Sequence, residues 1–446
     1  MAVSVARTGA VSARRRKLQL PAGWPIYALF LGFPLWWVLG LASFIWPLMA
    51  VPMMLSLLRQ RNVRMPRGFG WWLLFLAWMV VAGTQLESVT RLSAYLYRGS
   101  TYFSVTVLFL YVYNTPKEKL PSKKVVVTLT LFWMFVVFGG YLGVLFPNGG
   151  FSAALSKVIP AGVGDESLRA VLNPTFANRG EASKILGFPV GRPAAPFAYT
   201  NAWGSNFALL VPFVIMSWSF VKRKSWKLLT LAALGASIVP VASSLNRGLW
   251  ISLGLGLFYA AGLFALKGHT KAFMSVLCGL LVVGAMSVFV PSINRLIEAR
   301  LIHNHSDDGR KGLYLEAIER VSEKPILGFG APIESLVDPS KPSVGTHGQF
   351  WLVLVSTGVV GTLFFVGWYA TALLRTRKWS LDVGPWCHLV VFISGVQLLF
   401  YEQLPTQLHL TMIAAALALR DVRWPDRPTR RAERTQHARR RMAAVP

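Results

Sequence analysis

Long apolar runs separated by short polar segments occupy most of the chain. A membrane-spanning helix needs about 20 mostly apolar residues, and about twelve stretches fit that description. They lie near 25–40, 42–58, 70–86, 92–114, 124–146, 197–220, 227–244, 248–266, 271–290, 348–373, 384–400 and 404–420. The first two are short and closely joined, and they could form one span. The sequence therefore predicts an all-α integral membrane protein with about twelve transmembrane helices.

Basic residues assign the two sides of the membrane. Clusters of Lys and Arg follow every even-numbered predicted span, and a basic segment also precedes the first span. The positive-inside rule then makes both termini cytoplasmic. The predicted order is a basic N-terminus (1–24), helices 1–5 (25–146), an extracytoplasmic loop (147–196), helices 6–9 (197–290), a large extracytoplasmic loop (291–347), helices 10–12 (348–420) and a basic cytoplasmic tail (421–446).

The second long loop carries eight of the 18 acidic residues, which marks it as a distinct aqueous element. Within it, the segment GRKGLYLEAIERVSEKP has the spacing of an amphipathic helix. We expect Leu313, Ala317, Ile318 and Val321 to share its apolar face, and Pro325 to follow its end.

Composition agrees with a membrane protein and weakens other classes. The chain is 54% hydrophobic and 14% charged, whereas soluble domains are about 25% charged. The net charge of +28 would suggest nucleic-acid binding on a soluble protein. Here it lies in short loops and in both tails, so we interpret it as topogenic charge and predict no nucleic-acid partner. Cys278 and Cys387 lie in apolar segments and indicate neither a disulfide framework nor a zinc site.

Three polar stretches fall at the predicted outer face. Arg192 and Asn201 flank the start of the sixth span, Arg247 lies in the tight turn before the eighth, and His347 opens the tenth. An arginine fork binds phosphate oxygens in a bidentate way, so two arginines at neighbouring helix ends suggest a diphosphate clamp. Asn201 could orient a sugar or phosphate oxygen beside them. An imidazole can accept a proton near neutral pH, which makes His347 a candidate general base.

Each candidate also has a structural interpretation. Arg192 could be an interfacial anchor, Asn201 could make a hydrogen bond at a helix N-terminus or between helices, and a lone histidine at a helix end is often structural. Arg310 could bind phosphate or pair with neighbouring acids. The topogenic alternative for Arg247 is weak, because topogenic arginine is not expected on the outer side.

A histidine- and aspartate-rich segment precedes the predicted loop helix. His303, His305, Asp307 and Asp308 are residue types that bind metals, but their spacing matches no tight metal signature. We interpret the segment as a solvated helix cap and predict no metal site and no cofactor. Glu402 and His409 lie near the ends of the last two spans and could line the same cavity as His347.

Four short motifs follow one another between residues 192 and 361. An arginine precedes a phenylalanine and an asparagine that enters a span, and an Arg-Gly pair forms a turn. A Pro-x-x-Gly-x-Gly element then follows the loop helix, and a histidine precedes an apolar run that ends in Gly-x-x-Gly. The residues are Arg192, Phe197 and Asn201; Asn246, Arg247 and Gly248; Pro325, Gly328 and Gly330; and His347, Gly358 and Gly361. In order, spacing and layout the chain resembles the O-antigen ligase and polymerase superfamily of bacterial envelopes.

The resemblance implies a metal-independent membrane glycosyltransferase that needs no cofactor. It would move a glycan from a polyprenyl-diphosphate carrier to an acceptor hydroxyl on an envelope glycan or glycolipid, on the outer face of the bacterial cytoplasmic (inner) membrane. Arg192 and Arg247 would hold the diphosphate, and His347 would activate the acceptor. These residues do not distinguish a ligase from a polysaccharide polymerase, because the two share the donor.

Three positions depart from the pattern of that family. Ala195 lies where a glycine is usual before the phenylalanine, Asn246 replaces the serine of the turn, and Gly348 replaces the asparagine often found after the histidine. We expect these departures to affect fine substrate contacts more than the basic chemistry.

Two other functions share part of the pattern. A flippase or exporter of lipid-linked saccharides would use the same arginines but would need no base at His347, and it would favour internal repeats, which the sequence does not show. A metal-dependent transferase that uses polyprenyl-phosphate sugars would need acids in the first outer loops, where Glu87 is the acid present.

Overall fold

A computed structural model describes residues 20–159, 166–178, 191–268, 305–336, 343–377 and 383–423, together with parts of 270–281. Most of these residues are helical. The helices are α1 (Trp24–Leu31), α2 (Phe33–Leu39), α3 (Ile45–Leu58), α4 (Gly70–Ala82), α5 (Val89–Asn114), α6 (Ser122–Leu145), α7 (Glu166–Leu172), α8 (Thr200–Phe220), α9 (Lys224–Ser243), α10 (Arg247–Leu266), α11 (His305–Glu323), α12 (Gln349–Thr376), α13 (Gly384–Gln397) and α14 (Thr406–Arg423). Two short antiparallel strands, β1 (Ala177–Asn178) and β2 (Arg192–Pro193), also form.

The helical membrane character predicted from the sequence is confirmed in its coarse form. Five of the described helices, α6, α8, α9, α10 and α12, are long and apolar enough to cross a membrane. Helices also lie at most of the other predicted spans, although the first is split at Gly32 into α1 and α2 and α3 has 14 residues. The ninth predicted span, 271–290, falls largely outside the described residues. The count of twelve therefore stays a prediction.

The core is a bundle of helices joined by aromatic packing and by buried polar contacts. Phe69, which directly precedes α4, stacks on Phe109 of α5 at 4.7 Å between ring centroids, and Trp368 of α12 meets both rings edge-on. Many of the deeper polar groups are paired; for example, the Gln397 side chain accepts from Ser205 Oγ at 2.7 Å and donates to Ser252 Oγ at 3.1 Å. Such pairing is expected, because an unpaired polar group inside an apolar bundle is costly.

Helix α12 is broken at Gly358, and the segment after α11 docks into the break. Gly358 has φ +67° and ψ −171°, outside the helical region. Phe329 and Gly330 donate their N–H groups to the carbonyls of Val355 and Ser356, both at 2.9 Å, and Val359 N–H donates to a carbonyl of the docked segment at 2.8 Å. These backbone N–H and C=O groups therefore keep hydrogen-bond partners despite the break in the helix, because the docked segment pairs with them.

The glycines of this contact are required by space. A Cβ on Gly328 would lie 2.6 Å from the backbone of α12, and one on Gly358 would lie 2.4 Å from the Ile326 carbonyl oxygen. The Pro-x-x-Gly-x-Gly motif and the Gly-x-x-Gly motif, whose glycines Gly328 and Gly358 are 30 residues apart in the sequence, thus form the two sides of one contact. Beside this contact, Lys324 donates to Glu87 at 2.7 Å and holds the pKa of that carboxyl below its usual range.

Helix α11 packs against the start of α12 through a narrow apolar stripe. Leu313, Ala317 and Val321 are buried there beside Val355. The prediction that Ile318 shares this face is wrong, since its side chain is 55% exposed. The buried apolar residues recur every fourth position and so form a stripe one side chain wide, while Ile318 lies a further 100° around the helix.

Replacement of Gly358 by alanine is expected to destabilise the protein by at least about 2 kcal/mol. Alanine would be strained at this φ and ψ, and its Cβ would overlap the docked segment. The measurement is the thermal unfolding midpoint in detergent. Gly262→Ala is the matched control, because Gly262 lies in α10 with nothing within 4 Å of the added methyl group. Equal midpoints for the two variants would contradict the proposed tight contact.

Candidate active site at one end of the bundle

Arg247 is the first residue of α10, and the turn before it is built from the side chain of Asn246. Asn246 Oδ1 accepts from Leu249 N–H at 3.2 Å, which caps the helix. The buried Leu245 has φ +50°, a left-handed conformation that is unusual for a residue other than glycine. Arg247 itself is half-buried. The turn therefore places Arg247 at a helix N-terminus, where backbone N–H groups also favour negative charge.

Arg192 lies in β2 and supports the same turn. Its side chain is buried, and its Nε donates to the Ser244 carbonyl at 2.8 Å. Its own carbonyl accepts from Thr200 Oγ1 at 3.1 Å, at the start of α8. The two arginines are thus joined through the turn that carries Arg247, and Arg192 has an architectural contact that the sequence did not show.

Asn201 is the second residue of α8 and is half-buried. The hydrogen bond at the N-terminus of this helix comes from a different asparagine. Asn178 Oδ1 accepts from Thr200 N at 2.8 Å and from Thr200 Oγ1 at 2.9 Å. The capping interpretation considered for Asn201 therefore belongs to Asn178, and no motif in the sequence pointed to it.

His347 lies two residues before the first residue of α12 and is half-buried. Its Nδ1 is 3.3 Å from Thr346 Oγ1, and its carbonyl accepts from the hydroxyl of Tyr314 at 3.0 Å. A Cβ on Gly348 would lie 2.6 Å from the Leu399 carbonyl oxygen. The close approach of that backbone explains why glycine replaces the asparagine often found after the histidine.

Tyr401 connects the arginine turn to the histidine segment. Its hydroxyl donates to Asn246 Oδ1, and a Cβ on Gly248 would collide with its ring. Its carbonyl accepts from Gln349 N–H at 2.8 Å. The buried Gln349 side chain also donates to Tyr102 of α5 at 2.7 Å. A continuous series of contacts therefore joins Arg192, the Arg247 turn and the segment that carries His347.

The two other residues at the ends of the last spans behave differently. His409 is buried in α14, with Nε2 2.8 Å from Ser104 Oγ and its ring packed at 4.3 Å on Trp46, so it is part of the core. Glu402 pairs with Arg98 at 3.9 Å and keeps 35% of its side-chain surface accessible. Partial burial raises the pKa of its carboxyl, and the positive charge of Arg98 opposes that rise.

Some of the predicted residues fall outside what the structure describes. The backbone of Arg310 belongs to α11, but its side chain lies outside the described part. The same holds for the side chains of His305, Asp307 and Asp308, and His303 is not described at all. The predictions made for these residues remain predictions.

Replacement of Asn246 by alanine is expected to cost about 1 kcal/mol of stability, because it removes the cap of α10. It also removes the acceptor of the Tyr401 hydroxyl and the donor to the Thr200 carbonyl. Asn246→Ser, the matched comparison, keeps a capping oxygen and should lose less. The test is the thermal unfolding midpoint of the two variants in detergent, and a serine variant as unstable as the alanine variant would contradict the capping role.

The fold and this end of the bundle define a multi-span helical membrane protein with a polar site between helix ends. The family model described as O-Antigen ligase matches residues 232–366. The match confirms the resemblance to the O-antigen ligase and polymerase superfamily, and it covers Arg247, Arg310 and His347. Arg192 and Asn201 precede the matched segment. No curated protein matched the chain by sequence.

The family match and the spanning helices support a general assignment. They indicate a membrane protein with an O-antigen ligase or polymerase type of function, which is that of a glycosyltransferase-like enzyme. They also indicate a location in the bacterial inner membrane, with a lipid-linked glycan donor and a glycan acceptor as partners.

Proposed function

We propose that the protein transfers a glycan from a polyprenyl-diphosphate carrier to an acceptor hydroxyl on the extracytoplasmic side of the inner membrane. The acceptor is an envelope glycan or glycolipid. Both termini are cytoplasmic in this proposal, and the reaction uses neither a metal ion nor a nucleotide sugar.

In the proposed reaction, the arginines act on the donor and the histidine acts on the acceptor. Arg247, braced through Arg192, binds the diphosphate together with Asn201 and Arg310. His347 removes the proton of the acceptor hydroxyl as its oxygen attacks the anomeric carbon. The bond from that carbon to the diphosphate breaks, and the negative charge that develops on the diphosphate is stabilised by the guanidinium groups. A single displacement of this kind inverts the anomeric centre.

One observation supports this proposal above the others. The arginine turn and the histidine segment are distant in sequence, yet Tyr401 contacts both, through Asn246 and through Gln349. A clamp for the leaving group and a base for the nucleophile must be held in a fixed relation, because misplacement costs rate steeply. The contacts through Tyr401 supply such a relation, and the matched family segment contains both elements.

The test is glycan transfer by the purified protein in nanodiscs. The protein is supplied with a polyprenyl-diphosphate glycan and with envelope acceptors, with and without EDTA, and the product is detected by mass spectrometry. Transfer that survives EDTA is the expected result. Donor binding without any transfer to competent acceptors would overturn the proposal and would make flipping of lipid-linked saccharide the next activity to measure.

A further inference from the structure

A pair of opposite charges lies beside the histidine segment and has no part in the proposed reaction so far. Arg98 is in α5, and Glu402 is in the connection between α13 and α14. Their side chains are 20% and 35% exposed, and Arg98 Nε lies 3.9 Å from Glu402 Oε1. Neither side chain makes a hydrogen bond to another described residue. Most of the donors of the guanidinium and the lone pairs of the carboxylate are therefore available to a ligand.

The pair is adjacent to the segment that carries His347. Glu402 directly follows Tyr401, whose carbonyl holds the start of α12. Arg98 lines a cavity of about 20 Å³ together with Ser356 and Leu352 from the first turns of α12. Ser356 is 7% exposed, and its hydroxyl has no partner among the described residues. The cavity has room for about one water molecule or one hydroxyl group.

The charges restrict the chemistry of a ligand at this pair. A phosphate would be attracted by Arg98 and repelled by Glu402. A cation would be attracted by Glu402 and repelled by Arg98. A neutral polyol suits both groups, because one hydroxyl accepts from the guanidinium while a neighbouring hydroxyl donates to the carboxylate. This distinguishes the pair from the Arg247 turn, which presents a cation and helix N–H groups.

We infer that Arg98 and Glu402 bind hydroxyl groups of the acceptor sugar, with one hydroxyl directed to the cavity beside Ser356. The inference rests on the proposed function, since it assigns the acceptor to the α5 side of the histidine segment. The donor diphosphate is assigned to the ends of α8 and α10. The base at His347 then lies between an acceptor site and a donor site.

The test is steady-state transfer in nanodiscs by the double variant Arg98→Gln/Glu402→Gln. Both replacements keep a polar side chain, and neither leaves one charge alone. The KM for the acceptor should rise about tenfold, the effect expected for lost hydrogen bonds to charged groups, while the KM for the donor stays unchanged. The control is Arg320→Gln/Glu323→Gln, which removes an Arg–Glu pair on α11 (2.5 Å) and should change neither constant.

Other outcomes overturn the inference. They are an unchanged acceptor KM, a rise in the donor KM, or a fall in kcat alone in a variant that unfolds at the wild-type temperature. If the wild-type protein transfers nothing, the proposed function fails, and the site is tested separately. Saturation-transfer NMR then measures whether methyl glucoside, methyl galactoside and methyl mannoside bind the protein, with inorganic diphosphate as the comparison ligand. Hexoside signals that vanish in the double variant support the site, and their absence in the wild type overturns it.

Discussion

Replacement of His347 by alanine is expected to lower the rate of glycan transfer by about 10²- to 10⁴-fold, the usual contribution of a positioned general base. Without the imidazole, the acceptor hydroxyl must attack while it still carries its proton. Donor binding should be retained, because the arginine turn is held by Asn246 and Tyr401 and not by the imidazole. The measurement is single-turnover transfer in nanodiscs, with donor binding followed separately.

His347→Gln separates catalysis from structure. Glutamine can keep a polar contact with Thr346 Oγ1, which lies 3.3 Å from the imidazole, but its amide cannot act as a base near neutral pH. It should therefore be nearly as slow as alanine. A glutamine variant with close to wild-type transfer would show that His347 is a structural residue, one of the alternatives that the sequence left open.

The sequence contained most of the motif positions but not the way in which they meet. Gly328 and Gly358 were visible as members of two motifs, and only the docked segment shows that they face each other across the break in α12. A glycine in a motif indicates that another backbone segment approaches closely, but the sequence does not identify that segment. The same limit applies to Gly348, whose partner is the Leu399 carbonyl.

The residues that sequence reasoning missed are single polar side chains within or beside apolar runs. Tyr401, Gln349 and Arg98 belong to no motif, yet the first two join the candidate site and the third lies beside it. A signal for them existed, since a glutamine or an arginine inside a membrane segment must find a polar partner. The polar residues inside the predicted spans could therefore have been collected as candidate site residues. Which of them contact one another is determined by how the helices pack and cannot be read from the sequence.

One departure from the family pattern is now explained by local physics. Asparagine and serine are comparable N-terminal helix caps, so Asn246 performs the capping that a serine would perform. Its amide adds a hydrogen bond to the Thr200 carbonyl at 3.2 Å, which ties the start of α10 to the start of α8. The change from serine to asparagine thus keeps the helix cap and adds a hydrogen bond between two helix ends.

Replacement of Arg247 by alanine is expected to weaken binding of the polyprenyl-diphosphate donor about 10- to 100-fold, and to slow transfer at limiting donor at least as much. Loss of one charge-assisted hydrogen bond costs about 1.5–3 kcal/mol, and a guanidinium can make two such bonds to a diphosphate. Arg247→Lys should recover part of the loss, because it restores the charge without the fork. Donor binding is measured with labelled polyprenyl diphosphate in nanodiscs.

A second arginine provides a matched control for that measurement. Arg223 lies directly before the first residue of α9, and Arg247 is the first residue of α10, so both arginines are at helix N-termini. Because α9 has 20 residues, it separates Arg223 from the Arg247 turn by about 30 Å. Arg223→Ala removes the same charge beside a helix N-terminus at the opposite end of the bundle, so donor binding should be unchanged. Equal weakening by the two variants would mean that the donor senses only the overall positive charge of the protein. Weakening by Arg247→Ala alone would support a specific diphosphate site at the turn.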